Sequence, residues 1–168
     1  MPDFSINSPL KCGPVFPEWV WYIGVDAIKE GQGVQRDSVD VATPVGAATV
    51  ADARRWTRVK VCASGGIFAG VAAADYAASP TGQLIQIYGP GSVCNVLTYN
   101  VTTVLAANTA LVCSYDASAT TGSWAGTFKL NSSSGKGSAL ALQTIAGTAA
   151  FQKVLAYLET GATQALCA

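Results

Sequence analysis

Over residues 58–115 apolar side chains recur at every second position in short runs, broken by glycine, proline and small polar residues. A period of two belongs to a β-strand with one buried face, because successive side chains point to opposite sides of the pleat. Val59 and Val61 therefore oppose Arg58 and Lys60, and Ile67, Ala69 and Val71 oppose Phe68 and Gly70. Ile85 and Ile87 share one face of the run 83–88, and 110–115 forms a further strand. Gly89-Pro90-Gly91 is a turn, which predicts that the strands on either side of it, 83–88 and 92–101, pair as a hairpin.

The flanks extend this pattern. Residues 20–25 are rich in β-branched and aromatic side chains and read as a first strand. Residues 26–40, with Gly31 and Gly33 and a concentration of acids, read as a loop, and 39–50 holds short strand candidates about Pro44. Residues 75–82, ending in Ser79-Pro80-Thr81-Gly82, read as a turn or short loop. Trp124, Phe128 and Leu130 alternate with Ala125, Thr127 and Lys129, and the serine-rich 131–138 is an exposed loop before an apolar run over 139–145. The stretch 148–160 supports two readings: Phe151, Leu155 and Leu158 stand at helical spacing between Thr148 and Gly161, and a closing strand turned about Gly147 is equally compatible. No internal repeat of fixed period is visible.

These elements predict a mainly β protein: a single compact β-barrel or sandwich over 20–160, with an extended N-terminal arm over 1–19 and a tail over 161–168. A short C-terminal helix is the alternative to a last strand. The arm follows from Pro2, Pro9, Pro14 and Pro17, which disfavour both helix and central strand. At 168 residues, half of them hydrophobic, the chain is long enough for one sizeable core. Charged residues make up 12% against roughly 25% in an average soluble protein, which points to a surface covered by a partner.

Chemistry is bounded mainly by what is missing. The formal net charge is zero, which removes the long-range field that gathers nucleic acid or acidic membrane, and neither is expected as a partner. No stretch has the roughly 20 apolar residues of a spanning helix, and the N-terminus shows no basic and apolar signal pattern. The chain contains no histidine, so nucleophile systems built on histidine are excluded, and the five cysteines form no CxxC pair for a structural zinc. Cys62, Cys94 and Cys113 lie within apolar runs and are expected as buried thiols. The carboxylates are dispersed and single out no acid/base pair. No catalytic residue, metal, cofactor or small-molecule substrate is expected.

Contact chemistry is more legible. The end of the arm, from Phe16 through Trp19, Trp21 and Tyr22, is strongly aromatic, and Arg54, Arg55, Arg58 and Lys60 form a basic edge beside Trp56. Both are candidate contact surfaces for a partner or a neighbouring subunit. The bland alternatives are that the tryptophans begin the first strand and that the basic edge is a solvated face.

The order of features over 66–113 adds a resemblance. The strand Gly66-Ile67-Phe68-Ala69-Gly70-Val71-Ala72 is followed by a loop ending in Thr81-Gly82, then Gln83-Leu84-Ile85-Gln86-Ile87. Next come Gly89-Pro90-Gly91-Ser92-Val93 and Leu105-Ala106-Ala107-Asn108-Thr109-Ala110-Leu111. This succession resembles the small β-barrel decoration, or cement, proteins of tailed bacteriophage capsids, over residues 58–159. The proline- and tryptophan-rich start, the serine-rich loop and the five cysteines depart from that pattern. The resemblance implies a structural virion protein with no active site, made in the host cytoplasm and placed on the capsid exterior. It would assemble as a homotrimer and clamp neighbouring copies of the major capsid protein. The competing reading is a carbohydrate-binding β-sandwich of a phage spike or adhesin, with Trp19, Trp21, Trp56 or Trp124 as stacking platforms.

Overall fold

The computed structural model describes residues 17–37, 57–62, 66–99, 104–114, 125–130, 138–147 and 151–159. Its elements are β1 (Glu18–Gly24), β2 (Gly33–Arg36), β3 (Arg58–Val61), β4 (Phe68–Ala72) and β5 (Ser79–Tyr88). They continue with β6 (Val93–Thr98), β7 (Ala110–Ser114), β8 (Thr127–Leu130), β9 (Ala139–Ala141) and β10 (Gln152–Leu158). The protein is mainly β, and no helix occurs among the described residues. The strands close into two rings, β1-β3-β2-β4-β5 and β6-β8-β7-β9-β10. Closure gives every strand a partner on both sides and removes the exposed edges at which sheets aggregate.

Each ring is lined by the inward half of an alternating pattern. Val20, Tyr22, Val34, Val59, Ile85 and Ile87 fill the first, and Val96, Leu111, Phe128, Val154, Ala156 and Leu158 belong to the core of the second. The second core does not stop at its own strands. Cys62, Phe68 and Val71 from the first half pack into it, with the Phe68 ring edge-on to Phe128 at 6.0 Å and 86°, a geometry that matches the positive edge of one ring to the negative face of the other.

The two rings share one topology. In each, the first and third strands run parallel, with Tyr22 opposite Val59 and Thr98 opposite Phe128. The second and third are antiparallel, with Val34 opposite Val61 and Leu111 opposite Leu130. The first and fifth are antiparallel, with Val20 opposite Ile85 and Val96 opposite Val154. Correspondence extends to the loops: the isolated bridge Ile28–Tyr76 matches Leu105–Ile145. Gln83 Nε2 donates to the Ala77 carbonyl, and its counterpart Gln152 Nε2 donates to Ala146. The turns before β2 and β7 both pass through positive φ, at Gly31 (90°) and Asn108 (66°), the two residue types that enter this region most readily.

Several expectations change. The helical reading of 148–160 is overturned: β10 lies between β6 and β9, and Val154, Ala156 and Leu158 are buried at alternate positions while Phe151 and Leu155 face out. Neighbours on both sides supply its backbone partners, which outweighs the local spacing. The strands flanking Gly89-Pro90-Gly91 do not form a hairpin, since β5 pairs with β1 and β4 whereas β6 pairs with β8 and β10. That turn is the link between barrels, and Gly91 (φ 91°) donates its N–H to Leu158 O at 2.8 Å. The loop expected over 26–40 contains β2, which lacks an apolar alternation of its own but is paired on both sides by β3 and β4. The turn expected over 75–82 already contains the start of β5 at Ser79. The strand candidates over 39–50, residues 1–16 of the arm, the tail and most of the serine-rich loop lie outside the described residues.

Candidate functional site

The aromatic end of the arm becomes β1, and its alternation divides the candidates. Val20 and Tyr22 turn inward, whereas Trp19 is 49% exposed and Trp21 is half-buried. On β5 the residues directly opposite are Gln86 for Trp19 and Leu84 for Trp21, with Leu84 exposed and Gln86 partly so. Cross-strand partners on one face lie side by side. Trp19, Trp21, Leu84 and Gln86 therefore form one outer patch on a pair held by the longest register in the first barrel. Trp21 lies over Gly82, where any Cβ would collide with the indole. Its Nε1 is buried there without a hydrogen-bond partner, so it forms the floor of the patch and Trp19 its raised edge.

Tyr22 supports this face from below. It is 1% exposed, and its hydroxyl donates to the Asp26 carbonyl at 2.6 Å. Burial, with Asp26 nearby, pushes the phenol up to about 12. It is a core residue and presents nothing to a partner.

Of the basic edge, the two described residues, Arg58 and Lys60, both reach Asp37. Arg58 is buried and its Nη2 lies 3.1 Å from the Asp37 carboxylate, while Lys60 Nζ reaches the other oxygen of that carboxylate at 3.6 Å. One carboxylate thus offsets part of two cations. Arg58 Nε and Nη1 are buried with no partner, a desolvation cost that makes this pair a poor source of net stability. Although Arg58 is the register partner of Trp21, the indole covers β5 and the guanidinium reaches Asp37, so the two groups part. Phe16, Arg54 and Arg55 lie outside the described residues, as do Trp56 and Trp124.

Two further carboxylates, Asp75 and Glu30, have structural partners. Asp75 Oδ1 accepts the Glu30 N–H at 2.7 Å, the counterpart of Thr144 Oγ1 accepting the Ala107 N–H at 3.1 Å. Glu30 pairs with Lys153 at 2.6 Å across the two barrels. Among the described residues no group of three or more His, Cys, Asp or Glu is placed to hold a metal. A depression of about 230 Å³ between 22–26 and 60–62 has mostly apolar walls, with Lys60 and Asp26 as its charged members. Cys62, Cys94 and Cys113 are buried thiols, and burial raises Cys94 to about 12, which keeps it protonated and inert at neutral pH.

Sequence reasoning identified Trp19 and Trp21 but omitted Leu84. The alternation that sends Ile85 and Ile87 inward also sends Leu84 outward, so the signal was in the run itself; what it lacked was the pairing of β5 with β1. No family model and no curated protein matches the chain.

Proposed function

We propose that the chain is a structural virion protein that binds the outer surface of an icosahedral phage capsid and clamps neighbouring capsid subunits. The observation that carries this reading is the patch of Trp19, Trp21 and Leu84 on the β1–β5 pair, an apolar surface on rigid strands. Tryptophan at the centre of such a patch is the residue type that most often dominates docking energy. The resemblance over residues 58–159 supplies the kind of partner, a capsid shell, and the self-association, a homotrimer. Each copy adds buried area across a seam between shell subunits, and many weak clamps act together.

Rebinding to capsids stripped of this protein tests the reading. Binding is expected to saturate, with a trimer by light scattering, and Trp19→Ala is expected to weaken it by roughly 30-fold, the effect of a hot-spot loss of about 2 kcal/mol. Failure to sediment with such capsids refutes the proposal, and unchanged binding by Trp19→Ala refutes the assignment of the patch.

One observation favours a second reading. Trp19 stands half-exposed beside its cross-strand neighbour Gln86, a stacking surface next to an amide that both donates and accepts, as carbohydrate recognition requires. Glycan-dependent quenching of tryptophan fluorescence in a monomer that ignores capsids would replace the first proposal with this one.

A further inference from the structure

The duplicated topology makes the two barrels comparable seam by seam, and one seam differs. In the first barrel the parallel strands β1 and β3 meet directly: the Trp21 N–H donates to the Thr57 carbonyl at 2.9 Å. The counterparts in the second barrel are Leu97, which precedes Thr98, and Gly126, two residues before Phe128. Here the Leu97 N–H donates instead to the Gly31 carbonyl at 2.8 Å, and the Gly126 carbonyl accepts from the Gly33 N–H at 2.7 Å. Gln32 Nε2, between them, donates to the Ala125 carbonyl at 2.9 Å. A turn of the first barrel thus occupies both ends of a bond that the first barrel makes within itself.

Side-chain size permits this insertion. A Cβ on Gly31 would stand 2.8 Å from the Leu97 nitrogen, and one on Gly33 would collide with Cys113 Sγ. The matching turn of the second barrel carries Asn108 and Ala110 at these places, so side chains stand where the insertion demands none. The arrangement runs one way, from the first barrel into the second. Phe68, seated in the second core against Phe128, lies in the same inter-barrel contact, its ring 3.3 Å from where a Gly33 Cβ would be.

We infer that the chain is a tandem duplicate of one five-stranded barrel in which the Gly31–Gly33 turn of the first copy is a plug that closes the β6–β8 seam of the second. The second barrel is then a dependent unit: its seam opens when the plug is displaced, while the β1–β3 seam stays shut.

Residue-resolved amide exchange on the full chain tests this through two counterpart reporters, Leu97 and Trp21. Gly33→Ala adds a methyl group at the plug and places no new demand on a positive φ. It is expected to speed exchange at Leu97 by about tenfold or more, the effect of opening a seam closed by a few backbone bonds, with Trp21 unchanged. Asn108→Ala imposes a left-handed residue on the matching turn away from the plug, and is expected to leave Leu97 exchange as it is. If Gly33→Ala does not fold, Gln32→Leu, which removes the Ala125 bond between the barrels together with the acceptor of the Lys29 N–H in the turn, is expected to shift Leu97 in the same direction. Unchanged exchange at Leu97, or equal acceleration at Leu97 and Trp21, overturns the inference.

Discussion

Replacing Phe68 with alanine tests how strongly the barrels are joined. Phe68 belongs to β4 of the first ring, yet its 1% exposed side chain packs into the core of the second and meets Phe128 edge-on at 6.0 Å. Truncating a buried phenylalanine removes its transfer energy and leaves a cavity, together about 3–5 kcal/mol, within which an edge-on aromatic pair accounts for about 0.5–1.5 kcal/mol. In a chain of this size each kcal/mol moves the midpoint by about 2–4 °C, so Phe68→Ala should lower Tm by roughly 6–20 °C. Ile67→Ala is the control: Ile67, adjacent to Phe68 in the chain, is 46% exposed, and surface truncations stay within about 0.5 kcal/mol. Urea unfolding gives the free energy and calorimetry the midpoint. A loss for Phe68→Ala no larger than for Ile67→Ala would show that the shared core does not hold the two halves together.

The remaining expectations concern single groups. Tyr22→Phe removes the hydroxyl that bonds to the Asp26 carbonyl and should cost about 1 kcal/mol in urea unfolding at neutral pH. In the folded protein the Tyr22 phenol holds its proton more tightly than when unfolded, its value rising from 10.0 to about 12. Its contribution is therefore complete below pH 10 and lost as pH rises through 12, and Tyr22→Phe should flatten that part of the stability profile. Cys94, likewise raised to about 12, should resist a thiol-specific reagent at pH 8 until denaturant is added; rapid labelling of the folded protein at this position contradicts its burial. Lys153→Ala, which breaks an exposed pair with Glu30, should cost less than about 1 kcal/mol, and added salt should shrink the effect further.

The alternation in the sequence reported faces where the ladder is regular, because a buried sheet face demands an apolar side chain at every second position whatever strand lies alongside. It therefore identified the inward residues Val59, Val61, Ile85 and Ile87 and the mainly β class. In β4, where the register with β2 shifts, Phe68 and Val71, expected on opposite faces, turn into one core and Ile67 faces out. The same alternation carries nothing about partners. β5 and β6 look like the two arms of a hairpin about Gly89-Pro90-Gly91, and only ring closure assigns them to different barrels. β2, with no pattern of its own, exists because β3 and β4 each offer it a ladder.

The duplication leaves no fixed period in the sequence for a related reason. Counterparts such as Tyr22 and Thr98, or Val59 and Phe128, differ in identity, and unequal loops change the spacing between the copies, so no fixed period survives. At the candidate site the sequence exposed the cluster of aromatics, while tertiary structure sorted it: Tyr22 went into the core, Trp21 onto Gly82 and Trp19 to the surface beside Gln86. The basic run was legible as charge, yet only the fold brought Asp37 against Arg58 and Lys60. What the sequence by itself determined is which side of a regularly alternating strand is apolar, a local property set by residue type. Which strands meet, and hence that there are two barrels with the first plugging the second, was decided by long-range closure of backbone hydrogen bonds, which no local pattern records.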